Sequence, residues 1–286
     1  MSLEGLAGRV YGPLARRVSH AKVAEYVAAT GDDPVRWATA APPSYAAALL
    51  FTVAPLLIAD PEVGENARVL VHTDQHFRWR GPLLVGAPVT VSGTVTKVRG
   101  RGDLHLVTLE VIVSDPSGAP VVESTSTFLM GSGAAATPGP DTGEPPVGAG
   151  GAGAASRFAG PVVEGAALPT VERAASRLDL VRYAAASGDF NPIHFDHEAA
   201  RSAGLDGIVV HGLLMAAWLA QLAVATADGD APLAEMRLRF RNALRPAVVA
   251  TAGGTIASVS AGAATLDLAL RRGETDLVTA QAVTHA

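Results

Sequence analysis

The chain has 286 residues, a net charge of −5, 49% apolar and 17% charged residues, and no cysteine. This composition fits a well-buried globular protein and leaves no basic footprint for nucleic acid. The lack of cysteine excludes disulfides, thiolate catalysis and Cys-ligated zinc, and, with no apolar leader in "MSLEGLAGRVYGPLARR", it fits a cytoplasmic protein.

In chain order, the first helical segment is "VAEYVAATGD" (23–32), followed by a loop, "TGDDPVRW". Next comes the uncharged run "AAPPSYAAALLFTVAPLLIA", read as a helix but too broken by Pro42, Pro43 and Pro55 to cross a membrane. "VHTDQHFRWRGPLLVGAPVTVSGTVTKV", "HLVTLEVIVSD" and "VVESTSTFLM" then read as strands. The alternation Val89, Val91, Gly93, Val95 is the period-2 pattern of a sheet with one buried face. The same period puts His72, Asp74 and His76 on one strand face, a geometry that could hold a metal. The second half has no equivalent, so the stretch is read as structural.

Residues 131–156, "GSGAAATPGPDTGEPPVGAGGAGAAS", have almost nothing to bury and read as a flexible linker. They divide the chain into a first half (1–131), a linker (132–156) and a second half (157–286). "LVRYAAASGD" (180–189) repeats "VAEYVAATGD" at an offset of 157 (189 − 32). An uncharged run follows again, "GIVVHGLLMAAWLAQLAVATA" (207–227), helical from Gly212 to Thr226. At about 1.5 Å per residue that helix is roughly 22 Å long, which suits the centre of a soluble domain better than a membrane span. The strand-rich tail is "EMRLRFRNALRPAVVATAGGTIASV", "ATLDLALRR" and "LVTAQAVT", in which Arg237, Arg239 and Arg241 share a face. A solvated strand edge is the preferred reading of these arginines over contacts with the phosphates of a ligand. An apolar helix followed by antiparallel strands, twice over, predicts an α+β fold with an internal pseudo-dimer.

Between the two second-half helices lies "SGDFNPIHFDHEAARSAGLDGIVVHGLL" (187–214). Ser187-Gly188 stops one helix, Asn191-Pro192 marks a turn, and "DHEAARSAG" starts another helix with Glu198 in its first turn. His211-Gly212 then opens the buried helix. Carboxylate, imidazole and a helix start with free N–H groups thus come together: an acid/base pair and an oxyanion donor. Ligation of a metal by His194, Asp196 and His197 is the weaker reading.

This stretch resembles the signature of the MaoC-like hot-dog family of (R)-specific enoyl-thioester hydratases and (3R)-hydroxyacyl-thioester dehydratases. The first half, through "APPSYA", "VHTDQHFRWRGPLLVGAPVTV" and "STSTFLMG", resembles the non-catalytic partner in such systems. The whole chain is similar to a fusion of the two subunits of the actinobacterial fatty-acid-elongation dehydratase. The resemblance implies a double hot-dog, two curled antiparallel sheets each wrapping a central helix. It also implies that Asp189 and His194 form a catalytic dyad and that the N–H of Gly212 binds the thioester oxygen. Ser187, Asn191, His211 and Leu213, with Tyr45 and Ala47 of the first half, are expected to line or support the substrate site. Acyl-coenzyme A or acyl carrier protein thioesters are the implied substrates, with no metal, no cofactor, no nucleic acid and no membrane insertion.

The first half departs from the pattern. It keeps Asp32, but where the histidine should fall stand Val35, Arg36 or Trp37, and Pro42-Pro43 replaces His211-Gly212. Proline has no N–H to donate. This half is expected to complete the pseudo-dimer and house the acyl chain without catalysing. A hot-dog thioesterase and a non-catalytic acyl-thioester-binding module remain the alternatives, as does higher homo-oligomerisation.

Overall fold

The structure, a computed structural model, describes residues 3–66, 69–131, 139–141, 143 and 155–285. Most of the expected linker, 132–156, lies outside the described residues. The first half supplies strands β1 (Val10–Arg17), β2 (Val69–Trp79), β3 (Pro88–Arg101), β4 (Leu104–Ser114) and β5 (Pro120–Gly131). The second supplies β6 (Val171–Arg173), β7 (Leu233–Phe240), β8 (Ala250–Ser260), β9 (Ala263–Arg272) and β10 (Thr275–His285). The helices are α1 (His20–Thr30), α2 (Ala46–Leu50), α3 (Ala54–Ile58), α4 (Pro61–Asn66), α5 (Arg177–Ser187), α6 (His197–Ser202) and α7 (Gly212–Val224).

The strands run in the order β1-β3-β4-β5-β2-β7-β10-β9-β8-β6. The order reads as two equivalent five-stranded units meeting at β2 and β7. The α+β double hot-dog expected from the sequence is therefore what forms, with one refinement. The two curled sheets are joined by antiparallel pairing of β2 with β7, Asp74 to Arg78 against Arg239 to Glu235, into one ten-stranded sheet. β7 is thus an internal strand, which overturns the solvated-edge reading of its arginines. Arg237 and Arg239 lie on the outer sheet face against Glu235 and Asp74, while Arg241 lies beyond the end of the strand.

The sequence repeat is visible in the helices. Ser19 caps α1 by accepting from Lys22 N–H, and Ser176 with Asp179 forms a capping box on α5. Both helices end on a left-handed glycine, Gly31 (φ 65°) and Gly188 (φ 84°), a conformation costly for other residues. α1 packs on α5, and Tyr26 meets Tyr183, its counterpart in the repeat, with ring centroids 5.8 Å apart.

The two central segments differ. α7 is a continuous helix, buried from Leu213 to Val224, and packs against the second-half strands. The first-half run, expected as one helix, breaks after α2 and resumes as α3. Pro55 stands in the first turn of α3, where its missing N–H is tolerated, but a continuous helix would require that N–H.

Candidate active site

Gly188 turns the chain out of α5 and delivers Asp189, while a single 3-10 turn, Pro192–His194, delivers His194. Asn191 caps that turn, its side-chain oxygen accepting from Ile193 N–H at 3.4 Å. Asp189 and His194 are 9% and 6% exposed. Asp189 Oδ2 faces His194 Nε2 at 4.0 Å, too long for a direct hydrogen bond. Asp189 Oδ1 accepts from Asn191 N–H at 3.3 Å.

The tautomer of His194 follows from its other nitrogen. Nδ1 lies 2.8 Å from the carbonyl oxygen of Val209, which can only accept, so Nδ1 carries the hydrogen and Nε2 presents a lone pair. His211, fully buried, stacks on His194 with ring centroids 3.8 Å apart. Its Nε2 donates to the backbone oxygen of Asp189 at 3.2 Å. Burial pushes the Asp189 carboxyl above the usual carboxylate range, against opposing effects of His194 and the Asn191 N–H. Burial likewise lowers His194, and burial followed by the adjacent His194 ring holds His211 well below the usual histidine value. Uncharged His194 and His211 rings suit the stack, since two charges at that separation repel.

Both dyad residues line a cavity of about 250 Å³ together with Asn191, Gly212, Leu213 and Phe240. Gly212 is the first residue of α7, so its N–H has no carbonyl four residues back to receive it. A side chain there would meet the Phe240 ring at 3.2 Å, which explains glycine at this position. Ser187 is behind the dyad: its Oγ donates to Tyr183 O and accepts from Asp189 N–H. His211 is placed to orient His194, away from the cavity wall.

The first half closes the cavity, through residues other than those expected. Tyr45 packs edge-on against Tyr26, and Ala47 borders a separate void of only about 10 Å³ beside Leu213. The first-half wall is instead Phe51, Ile58, Leu70, Val71, His72 and Phe128. No single-residue signal in the sequence marks these, because they become neighbours of the dyad only when the two halves dock, through β2 on β7 and the helices packed on α5.

The candidate metal groupings are also rearranged. A β-bulge between His72 and Asp74 sends His72 to the inner face, while Asp74 and His76 lie outside against Arg239 and Glu235. Asp196 caps α6 and His197 meets Asp141, so neither joins His194. Asp189, His194 and His211 could each offer one ligand atom, all within 4.8 Å of one another.

The equivalent place in the first half is filled. Trp37, buried at 3% exposure, occupies the position 157 residues before His194, and Trp79 Nε1 donates to Pro43 O at 3.2 Å. Arg36 donates to the carbonyls of Val224 and Ala227, capping the C-terminal end of α7. Burial raises Asp32, but no imidazole faces it.

Residues 161–251 match the MaoC like domain, and residues 6–124 match the FAS1-like, dehydratase domain region. A UPF0336 protein of Thermobifida fusca (strain YX) is 33% identical over 118 residues, covering 41% of this chain and 71% of the relative. Other UPF0336 relatives are spanned over 50% to 93% of their lengths. The mitochondrial 3-hydroxyacyl-[acyl-carrier-protein] dehydratase of Arabidopsis thaliana is 39% identical over 70 residues, 24% of this chain and 42% of that one. A solved MaoC-like dehydratase superposes with a TM-score of 0.81 at 21% identity, covering 99% of both chains, and so shares the fold. The chain belongs to the UPF0336 family and is a double hot-dog protein with a MaoC-like dehydratase domain in its second half.

Proposed function

We propose that the protein reversibly hydrates trans-2-enoyl thioesters to (3R)-hydroxyacyl thioesters, carried on coenzyme A or acyl carrier protein, in fatty acid metabolism. The observation that carries this reading is the 4.0 Å gap between Asp189 Oδ2 and His194 Nε2, on a cavity wall that also holds the first N–H of α7. One water oxygen can bridge that gap, hydrogen-bonded to both groups.

In the hydration direction, His194 Nε2 takes a proton from the water as its oxygen bonds to C3. The π electrons move through C2 onto the thioester oxygen, where the Gly212 N–H stabilises the developing enolate. The enolate pair then takes a proton from Asp189, whose raised pKa favours the protonated acid, forming the C2–H bond. Proton transfer from the His194 imidazolium to the Asp189 carboxylate restores the pair. Water is consumed and no other co-reactant is needed. Asp189 and His194 are the catalytic residues on this reading, and Ser187 and His211 position them. Arg241, at the exposed edge of the cavity, is the arginine placed to meet a carrier phosphate.

The test is an assay with trans-2-enoyl-coenzyme A, following loss of enoyl absorbance and release of free thiol in parallel. Loss of absorbance without thiol, unchanged after exhaustive chelation, is the expected result. Thiol release would point to a thioesterase, and dependence on added metal would recast Asp189, His194 and His211 as ligands.

A further inference from the structure

One polar group on the cavity wall has no part in the chemistry above. The bulge in β2 brings His72 inward, and its imidazole lies between the rings of Phe128 and Phe240, with centroids 4.6 and 5.0 Å away. The ring lines the catalytic cavity, yet its Nε2 is buried with no hydrogen-bond partner among the described residues. Burial, against opposing contacts with Asp74 and Gln75, holds the group down to a pKa of about 4, so the ring is neutral near pH 7. A buried polar atom left unpaired is costly, and a ligand that supplies the missing partner relieves that cost.

The neutral ring limits what that partner is. Nε2 donates in one tautomer and accepts in the other. A methylene satisfies neither, and a carbonyl or an amide N–H satisfies one. A hydroxyl, which both donates and accepts, serves whichever tautomer the ring adopts. We propose that His72 is a specificity-determining residue supplied by the first half, its Nε2 hydrogen-bonding a hydroxyl of the bound thioester away from the reacting carbons. The inference rests on the enoyl-thioester reading of the cavity. The hydroxyl belongs either to the acyl chain or to the carrier arm, since both are parts of the same ligand.

Full-length wild type and His72→Phe, which keeps an aromatic ring between Phe128 and Phe240, are compared on four substrates. These are crotonyl and a terminally hydroxylated enoyl group, each as the coenzyme A and the N-acetylcysteamine thioester, whose short arm has no hydroxyl. If the acyl hydroxyl is the partner, His72→Phe lowers the hydroxylated-to-plain ratio of kcat/KM about tenfold on both carriers, the size of one net hydrogen bond. If the carrier hydroxyl is the partner, the coenzyme A to N-acetylcysteamine ratio falls about tenfold instead. Either result supports His72. Both ratios remaining within twofold of wild type overturns it. His72→Gln, which retains hydrogen bonding, should preserve more of the affected ratio and serves where the Phe variant fails to fold. If wild type turns over none of the four, the hydratase reading has failed. The same ratios, read as Kd by calorimetry with the saturated thioesters, then decide His72 separately.

Discussion

Asp189 and His194 are buried, and that changes what their replacement should do. A loop motif alone suggests polar residues whose packing is not at stake. His194 instead stacks on His211, so His194→Ala opens a gap within a packed pair. We expect Asp189→Asn and His194→Ala each to lower kcat by about 10² to 10⁴-fold, the range of general acid–base catalysis. The double variant should be little worse than either single one, because the two act as a unit. Thermal melts should show His194→Ala destabilised by about 1 to 3 kcal/mol, and near-normal turnover in either single variant would remove the assignment. The pH profile follows from the shifts. On the proposed mechanism His194 is a base only while neutral, and its pKa is lowered, so activity should persist below the ordinary histidine value of about 6.5 and fail at a more acidic pH. On the same mechanism Asp189 is an acid only while protonated, and its raised pKa extends that role upward from the carboxylate range. Fits of kcat/KM against pH would report the two values as properties of the pair.

At the scale of elements, the start of α7 and the broken helix of the first half each make a distinct prediction. Gly212→Pro removes the proposed oxyanion N–H at the first helical position, where proline is otherwise accepted. Gly212→Ala adds a similar contact with Phe240 but keeps the N–H. Kinetics on the two should separate bulk from donor, with the proline variant losing a further 10² to 10³-fold in kcat. If the cavity takes an acyl thioester, as proposed, chain-length selection belongs to its first-half wall. Leu70→Phe should depress activity on long acyl chains while sparing four-carbon substrates. Ala47→Phe should instead lose about 1 to 3 kcal/mol of stability and both activities together, because the void it enters is only about 10 Å³. This contrast shows what was legible beforehand. Asp189, His194 and Gly212 are marked by spacing within one stretch, and the repeat marks α1 and α5. Tyr45 and Ala47 are expected at the acyl wall because their helix lies where the halves meet, but Tyr45 packs on Tyr26 and Ala47 faces the small void beside Leu213. The His72 bulge was hidden too, since one inserted residue reverses every side chain beyond it without disturbing the apolar pattern.

Across the whole molecule, the two halves hold each other through β2 against β7 and α1 against α5. Neither contact uses residues 132–156. Asp141 and Gly139 do touch His197, Asp206 and Arg201 near the active-site loop. A protease nick placed at 144–154 should therefore leave the halves associated on size exclusion, with the hydration rate within about twofold of the intact chain. Dissociation, or loss of most activity, would show that the connection does more than tether. The sequence repeat implied a pseudo-dimer; it could not show that the halves share a continuous sheet, because pairing between β2 and β7 leaves no periodic signature.

The joined sheet also has a consequence for how activity varies with protein concentration. In a dimer of separate subunits, dilution below the dissociation constant dismantles the shared cavity and turnover per subunit declines. Here both walls of the cavity belong to one polypeptide, so their encounter is intramolecular and their effective concentration does not fall with dilution. Specific activity should be flat down to the lowest assayable enzyme concentration. Covalent linkage also frees the two copies from having to be identical. A substitution such as Trp37 or Pro43 in a homodimer would alter both sites at once, whereas here one site can be filled and the other kept.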